Sequence, residues 1–268
     1  MQIRELEQRL FDRYPATDAE SWDHIGLSVG DPSEEVTAVA CALDATEANV
    51  RHAHELGANV LLTHHPVYIK APDCFAPAAT DIPQSASTLY AAAQLGVAII
   101  SNHTNLDRSH AARRAPAELF GTTPICSLEN PDEPHATGLG SFFEIDPASL
   151  VEIVHKTNKR FDTVARVWGP RSKPCRRIAF LGGSLGEFGE AALRCKADAI
   201  ITGECGYHVA QDLAIRGLSV ILLGHDRSEE PFVEILANDC HELGLAPSKI
   251  YTIMNPEQWW TATEGDYL

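Results

Sequence analysis

With 37 acidic against 21 basic side chains among 268 residues, the chain carries a formal charge of -16 and has no cationic surplus to release counterions from a phosphate backbone, which argues against nucleic acid as a partner. An apolar fraction of 44% with 22% charged residues is that of a globular protein, long enough for one large domain or two lobes of about 100 residues each. No run approaches the roughly 18 apolar residues that span a bilayer, Met1 is followed by no signal-peptide core, and seven scattered cysteines without a C-x-x-C pair read as reduced thiols; the expectation is a cytoplasmic protein with no membrane contact.

In chain order, Ile3, Leu6, Leu10, Phe11 and Tyr14 recur at helical spacing and predict an amphipathic helix that Pro15 stops. Trp22-Asp23-His24-Ile25-Gly26-Leu27 reads as a loop ending in the turn Gly30-Asp31-Pro32, where Asp23 suits either a cap or a place near a site. Val36 to Leu43 predicts a buried strand, Glu47 to Leu56 a helix closed by Gly57, and Val60-Leu61-Leu62 a second strand. That strand ends in Thr63-His64-His65-Pro66. Proline cannot continue a central strand, so both imidazoles fall at the carboxyl edge, where open α/β sheets bind ligands. The alternative is two hydrogen-bonded loop histidines. Past a Pro-rich loop, a helix around Ser87 to Leu95 closes at Gly96, and Val97 to Ile100 delivers Asn102-His103-Thr104-Asn105-Leu106-Asp107.

A Pro-rich connection then leads to a strand near Gly140 to Ile145, a helix with Asp146 as N-cap and Pro147 at N1, and a half-buried strand over Asp162 to Trp168. From there the plan of the first half repeats. Arg177 to Gly182 is a strand, Glu187 to Cys195 a helix, and Ala199 to Thr202 a strand ending in Gly203-Glu204. A helix from His208 to Arg216 follows, and Val220 to Leu223 delivers Gly224-His225-Asp226-Arg227-Ser228-Glu229. In both halves an imidazole and a carboxylate stand four apart: His103 with Asp107, and His225 with Glu229. Pro231 starts a helix with Phe232, Ile235, Leu236, Cys240 and Leu243 on one face, and a strand near Lys249 to Met254 precedes a tail whose Trp259 and Trp260 suit packing on a neighbouring surface.

The repeat predicts an α/β protein of two similar lobes with mostly parallel sheets, an internal duplication with its site between the lobes. Residues 1–121 form the first lobe, 122–224 the second, and 225–268 pack back on the first. His64, His65, Asp107, His225 and Glu229 can then converge. Imidazole with carboxylate suits Zn, Fe, Mn, Co or Ni, and this ligand set exceeds the needs of one tetrahedral ion, so two divalent ions are expected. Glu229 can bridge such a pair, and a water held there loses its proton near neutral pH to serve as nucleophile. His103 and Glu204 suit proton transfer or the orientation of ligands. Gly182-Gly183-Ser184-Leu185-Gly186 also fits a nucleophile elbow, which keeps a serine hydrolase through Ser184 as an alternative. The equivalent turn of the first half, Leu43-Asp44-Ala45-Thr46, has no nucleophile, which favours glycines serving close backbone approach.

Five blocks, from Trp22-Asp23-His24-Ile25-Gly26-Leu27 through Thr63-His64-His65-Pro66, Asn102 to Asp107 and Thr202-Gly203-Glu204 with Tyr207-His208, to Gly224 to Glu229, resemble the NIF3-like (DUF34) family, often labelled GTP cyclohydrolase 1 type 2 homologues. The resemblance implies the NIF3-like fold and a dinuclear metal centre at His64, His65, Asp107, His225 and Glu229. It also implies a toroidal homohexamer with its sites facing inward, and a small-molecule substrate such as a purine nucleotide. For GTP, water would add at C8 and open the imidazole ring. A non-catalytic metal-binding or regulatory scaffold is the other reading the resemblance leaves open. His24 stands where the family usually has Asn, and Asp226-Arg227-Ser228 replaces a more typical aromatic-small-threonine run; neither change removes a ligand.

Overall fold

Each half of the chain builds one five-stranded sheet in this computed structural model, which describes residues 1–256 and 259–260. In the first half, helix α1 (Ile3–Arg13) buries Ile3, Leu6 and Leu10, and strand β1 (Gly26–Val29) follows. Then come β2 (Val39–Ala42), α2 (Glu47–Glu55), β3 (Val60–Thr63), α3 (Gln84–Leu95) and β4 (Ala98–Ser101). Every residue of β2, β3 and β4 is buried. That burial explains why they read as unbroken apolar runs: parallel strands are covered on both faces, here by one cluster around Leu6, Leu10 and Leu62 and another around Val50, Leu61 and Ile99. The sequence reads 22–30 as loop, whereas Gly26 to Val29 pair antiparallel with β4. Four residues of weak β character carry no period of their own, so the neighbouring strand decides their conformation.

A one-turn helix α4 (Thr104–Asp107) leaves β4, and α5 (His110–Leu119) ends this half. The second half runs β5 (Ser141–Ser149), α6 (Leu150–Phe161), β6 (Arg166–Trp168) and β7 (Pro174–Ser184). It continues through α7 (Phe188–Arg194), β8 (Ala199–Glu204), α8 (Tyr207–Ile215), β9 (Ser219–Leu222) and the one-turn helix α9 (His225–Glu229). Its order is β5-β7-β8-β9-β6, parallel through the three central strands with antiparallel strands at both edges. The expected N-cap at Asp146 is corrected. Asp146 and Pro147 lie within β5, where the pairing with β7 is irregular, and an edge strand tolerates the missing proline N–H there. Ser149 caps α6 instead, through a reciprocal box with Glu152.

The chain then returns to the first half. Helix α10 (Pro231–Glu242) buries Phe232, Val233, Leu236 and Cys240 among the side chains of α1 and the first sheet. Strand β10 (Ile250–Ile253) completes that sheet beside β2, giving β1-β4-β3-β2-β10. Helix α9 therefore packs on β7 and β8 while the chain immediately after it belongs to the other lobe, which fixes α9 at the seam. No helix among the described residues is long and apolar enough to cross a membrane. Trp259 and Trp260 are exposed.

Candidate metal centre

The carboxyl ends of β3 and β4 supply one wall of the seam. His64 is fully buried, its ring stacked on Phe232 with centroids 4.2 Å apart, and its Nδ1 donates to the Asn102 carbonyl at 3.1 Å. A carbonyl can only accept, so Nδ1 holds the proton and Nε2 carries the lone pair. That Nε2 is buried without a hydrogen-bond partner, 3.7 Å from Asp107 Oδ1 and 3.9 Å from Glu229 Oε1. Burial holds the His64 ring well below its usual basicity, so it is neutral.

His65 turns the other way. Its Nδ1 meets Asp44 Oδ1 at 2.7 Å and its Nε2 meets Glu229 Oε2 at 3.0 Å. Burial opposes its protonation, yet the hydrogen bonds to Asp44 and Glu229 outweigh burial and push its pKa up to about 10. From the second lobe, His225 places Nε2 3.2 Å from the same Glu229 oxygen and Nδ1 2.9 Å from Glu204 Oε1, and its pKa rises to about 9, chiefly through the Glu229 contact. Burial would raise the Glu229 carboxyl, but His225 and His65 hold it far below the carboxylate range. Asp107 is pushed up to about 7 by burial and by Glu229 beside it. The structure thus brings His64, His65, Asp107, His225 and Glu229 around one seam.

Glycine makes room for the shared carboxylate. A Cβ on Gly183 would sit 2.3 Å from Glu229 Oε1, and Gly183 holds φ +62°, so a side chain there is both blocked and strained. Ser184 Oγ donates to Glu204 Oε1 at 2.7 Å, and the nearby imidazole, His225, binds that same oxygen instead of the serine. The hydroxyl faces a carboxylate and no imidazole, unlike the serine of a Ser-His pair.

His103 is the N-cap of α4, and its ligand atom lies within 4.8 Å of those of His64 and His65; His65, His225 and Glu229 form a second such group. Asp23 holds His103 in place. Its carboxylate, fully buried, faces His103 Nδ1 at 2.9 Å and accepts from Thr104 N at 3.0 Å and Thr104 Oγ1 at 2.5 Å. Burial opposes its ionisation, and those hydrogen bonds drive its pKa well down. The sequence leaves Asp23 open between a cap and a neighbour of the site, and its two oxygens do both. Asp44 was missed as a site neighbour. Its one signal is position, an acid just past the end of β2 at the edge that carries His65.

Does this cluster fit a cation? Two donors bonded at about 2.1 Å to one ion stand about 3.0–3.4 Å apart. The separations here, 3.0 to 3.9 Å, need only small adjustments. An orphaned, buried, neutral imidazole nitrogen facing two carboxylates calls for a partner that accepts a lone pair. The donor set is nitrogen and oxygen, with acidic groups to offset positive charge.

Two similar α/β lobes that pool imidazoles and carboxylates at the carboxyl ends of their strands define a duplicated α/β protein with a candidate metal centre. The chain belongs to the Duf34/NIF3 (NGG1p interacting factor 3) family, whose profile matches residues 1–255. It is 30% identical over 234 residues to a GTP cyclohydrolase 1 type 2 homolog of Lactococcus lactis, covering 85% of this chain and 87% of that one. A protein of the same name from Clostridium perfringens is 27% identical over 244 residues, covering 86% and 88%. Among solved structures it is similar to Staphylococcus aureus protein SA1388, with TM-score 0.84 at 23% identity over 98% of this chain and 99% of that one. Protein ybgI gives TM-score 0.79 at 22% identity over 96% and 99%. At those identities the likeness is one of fold.

Proposed function

We propose that this protein is a dinuclear metal-dependent hydrolase of a purine nucleotide or a related small molecule. The observation that carries the reading is the two-sided Glu229, whose Oε1 faces the orphaned His64 Nε2 while its Oε2 faces His65 and His225. His64, Asp107 and Glu229 would hold one divalent cation, and His65, His225 and Glu229 the other; Zn, Fe, Mn, Co and Ni all suit such donors. When bound, the pair supplies Lewis acidity, acidifying a water and polarising the group under attack. The chain's own residues do the rest. Asp23 keeps the His103 Nδ1 protonated, so Nε2 can take and return a proton at the seam. Glu204 holds His225 from outside. The names of the curated relatives supply the substrate class, and with GTP water would add at C8 and open the imidazole ring.

Turnover of GTP and related nucleotides by the protein with its metal content measured, before and after chelation, tests this. Activity lost on chelation and restored by metal is expected; fully loaded protein that turns over none of them overturns it. One observation favours a non-catalytic metal-binding scaffold. The cationic side chains next to the ligands in sequence are already engaged, Arg108 by Glu20 and Glu129 and Arg227 by Glu230, and so offer little to a substrate phosphate. On that reading Glu229→Gln alters assembly or partner binding with no turnover to lose.

The protein also assembles with copies of itself, as a toroidal homohexamer. Support comes from apolar side chains left exposed around edge strand β6 and helix α8, namely Val164, Val167, Tyr207 and Ile215. Sedimentation that finds only monomer would rule this out. Seven free cysteines suit a reducing compartment and support a cytoplasmic location.

A further inference from the structure

Strand β10 runs parallel to β2 with Ile253 beside Ala42, so continuing that register brings Asn255 alongside Asp44. Asn255 Nδ2 donates to Asp44 Oδ2 at 2.5 Å, while Asp44 Oδ1 accepts from His65 Nδ1 at 2.7 Å. Side chains from just past the last strand, the turn after β2 and the end of β3 thus form one line that finishes at the nitrogen facing Glu229. We infer that Asp44 and Asn255 are positioning residues of the metal centre: Asp44 keeps His65 Nδ1 protonated with Nε2 turned to the seam, and Asn255 holds Asp44 in that pose. The inference rests on the metal reading above.

The physical case starts from the tautomer. A neutral imidazole has one proton, and a carboxylate on Nδ1 fixes it there, leaving the Nε2 lone pair free and more basic. Asp44 cannot be relied on to do this alone. Its terminal torsion is broad, and its side chain is 29% exposed, so with one oxygen unheld it can rotate toward water. The Asn255 amide fills that second oxygen without adding charge.

In the other imidazoles, the Nδ1 partner comes from the same lobe as the ring. His64 uses the Asn102 carbonyl and His103 uses Asp23, both from the first lobe, and His225 uses Glu204 from the second. Among the described residues, the hydrogen-bonded line behind His65 alone reaches a residue 211 positions beyond its carboxylate, two residues past the strand that closes the sheet after the chain has visited the other lobe. Docking of the C-terminal strand is thereby tied to the strength of the centre.

The test is metal binding by the full chain, read by competition of Zn²⁺ and Co²⁺ against a chelating dye, with the visible spectrum of the Co²⁺ protein and the melting of the metal-free protein alongside. Asp44→Asn keeps the shape but lets an amide N–H face Nδ1, which favours the wrong tautomer; affinity should fall by about 10–100-fold with an altered cobalt spectrum. Asn255→Ala should fall by several-fold, and Asn255→Asp, the same size but repelling Asp44, by more. Asp44→Glu should recover part of the loss. Unchanged metal-free melting of Asp44→Asn and Asn255→Asp separates positioning from a general packing defect. Should wild type bind metal while both isosteric variants bind within about two-fold and keep its spectrum, the positioning role is wrong and the metal centre stands. A wild-type chain that binds neither ion removes both.

Discussion

The two lobes contribute unequally to one site. On the first-lobe side His64 is 0% exposed and clamped between Phe232 and the Asn102 carbonyl, at the end of strands buried on both faces. On the second-lobe side His225 is 40% exposed, and Glu204, which orients it, is 56% exposed and backed, among the described residues, by Ser184. Between them sits Glu229, 7% exposed and addressed from both walls. A buried donor is fixed before any ligand arrives and loses no freedom on binding, whereas an exposed one must be ordered at that moment. The duplicated plan therefore yields one prepared wall and one adaptable wall, joined through a carboxylate that neither lobe encloses alone.

The change with the largest expected effect is Glu229→Gln, because it strikes what both walls share. It removes the anion from a site that already has neutral and cationic imidazoles, so both ions should be lost together, with affinity down by more than about 100-fold and any turnover abolished. Metal content after dialysis reads this. Retention of one ion would mean the walls are independent. Next is Gly183→Ala, which presses on the shared carboxylate from the adaptable wall. Its Cβ collides with Glu229 Oε1 and its φ of +62° disfavours a side chain, so a cost of about 1–3 kcal/mol is expected in denaturant melts. Gly186→Ala is the control. It has φ +51° but open space around it, and should cost about 1 kcal/mol.

A subtler effect separates the walls by affinity. Stepwise chelation should remove the ion held through His225 before the one held through His64, and Glu204→Gln should hasten the first loss while leaving the second unchanged. Equal, simultaneous release would erase the distinction between a prepared and an adaptable wall.

Why part of this was legible in the sequence follows from where side chains fall. His64, His65, His225 and Glu229 stand just past apolar strands, and a parallel sheet puts all such positions at one edge whatever the strand order. The repeated spacing of His103 with Asp107 and His225 with Glu229 marks the two helical turns that leave the sheets. Asp44 carries no such mark, since its importance depends on β10 lying beside β2, a pairing between residues more than 200 apart. Asp146-Pro147 misleads for the opposite reason: its local signal for a helix start is strong, and edge pairing with β7 overrides it. Gly26 to Val29 is a strand only because β4 offers an open edge.

The smallest effect concerns what holds the prepared wall in place. Arg108, the residue after Asp107, donates from Nε and from an Nη nitrogen to the two oxygens of Glu129, both at 2.9 Å, and also reaches Glu20 and the Asp18 carbonyl. Glu129 lies in the connection to the second lobe, so this ion pair ties the end of α4 to the chain that leaves it. Arg108 chiefly, with the Leu139 N–H, holds the Glu129 carboxyl below its ordinary value of 4.5 in spite of burial. A depressed acid stabilises the fold above its unfolded pKa, and that contribution disappears as pH falls through the folded one. Glu129 is partly exposed and screened, which limits the contribution to about 1 kcal/mol. For metal-free protein in urea, Glu129→Gln should therefore be less stable than wild type at pH 7, with the gap closing as pH falls below about 4.5. A gap of the same size in acid would mean the pair does not set the pH dependence, and the rigidity of the prepared wall would then rest on burial of its strands alone.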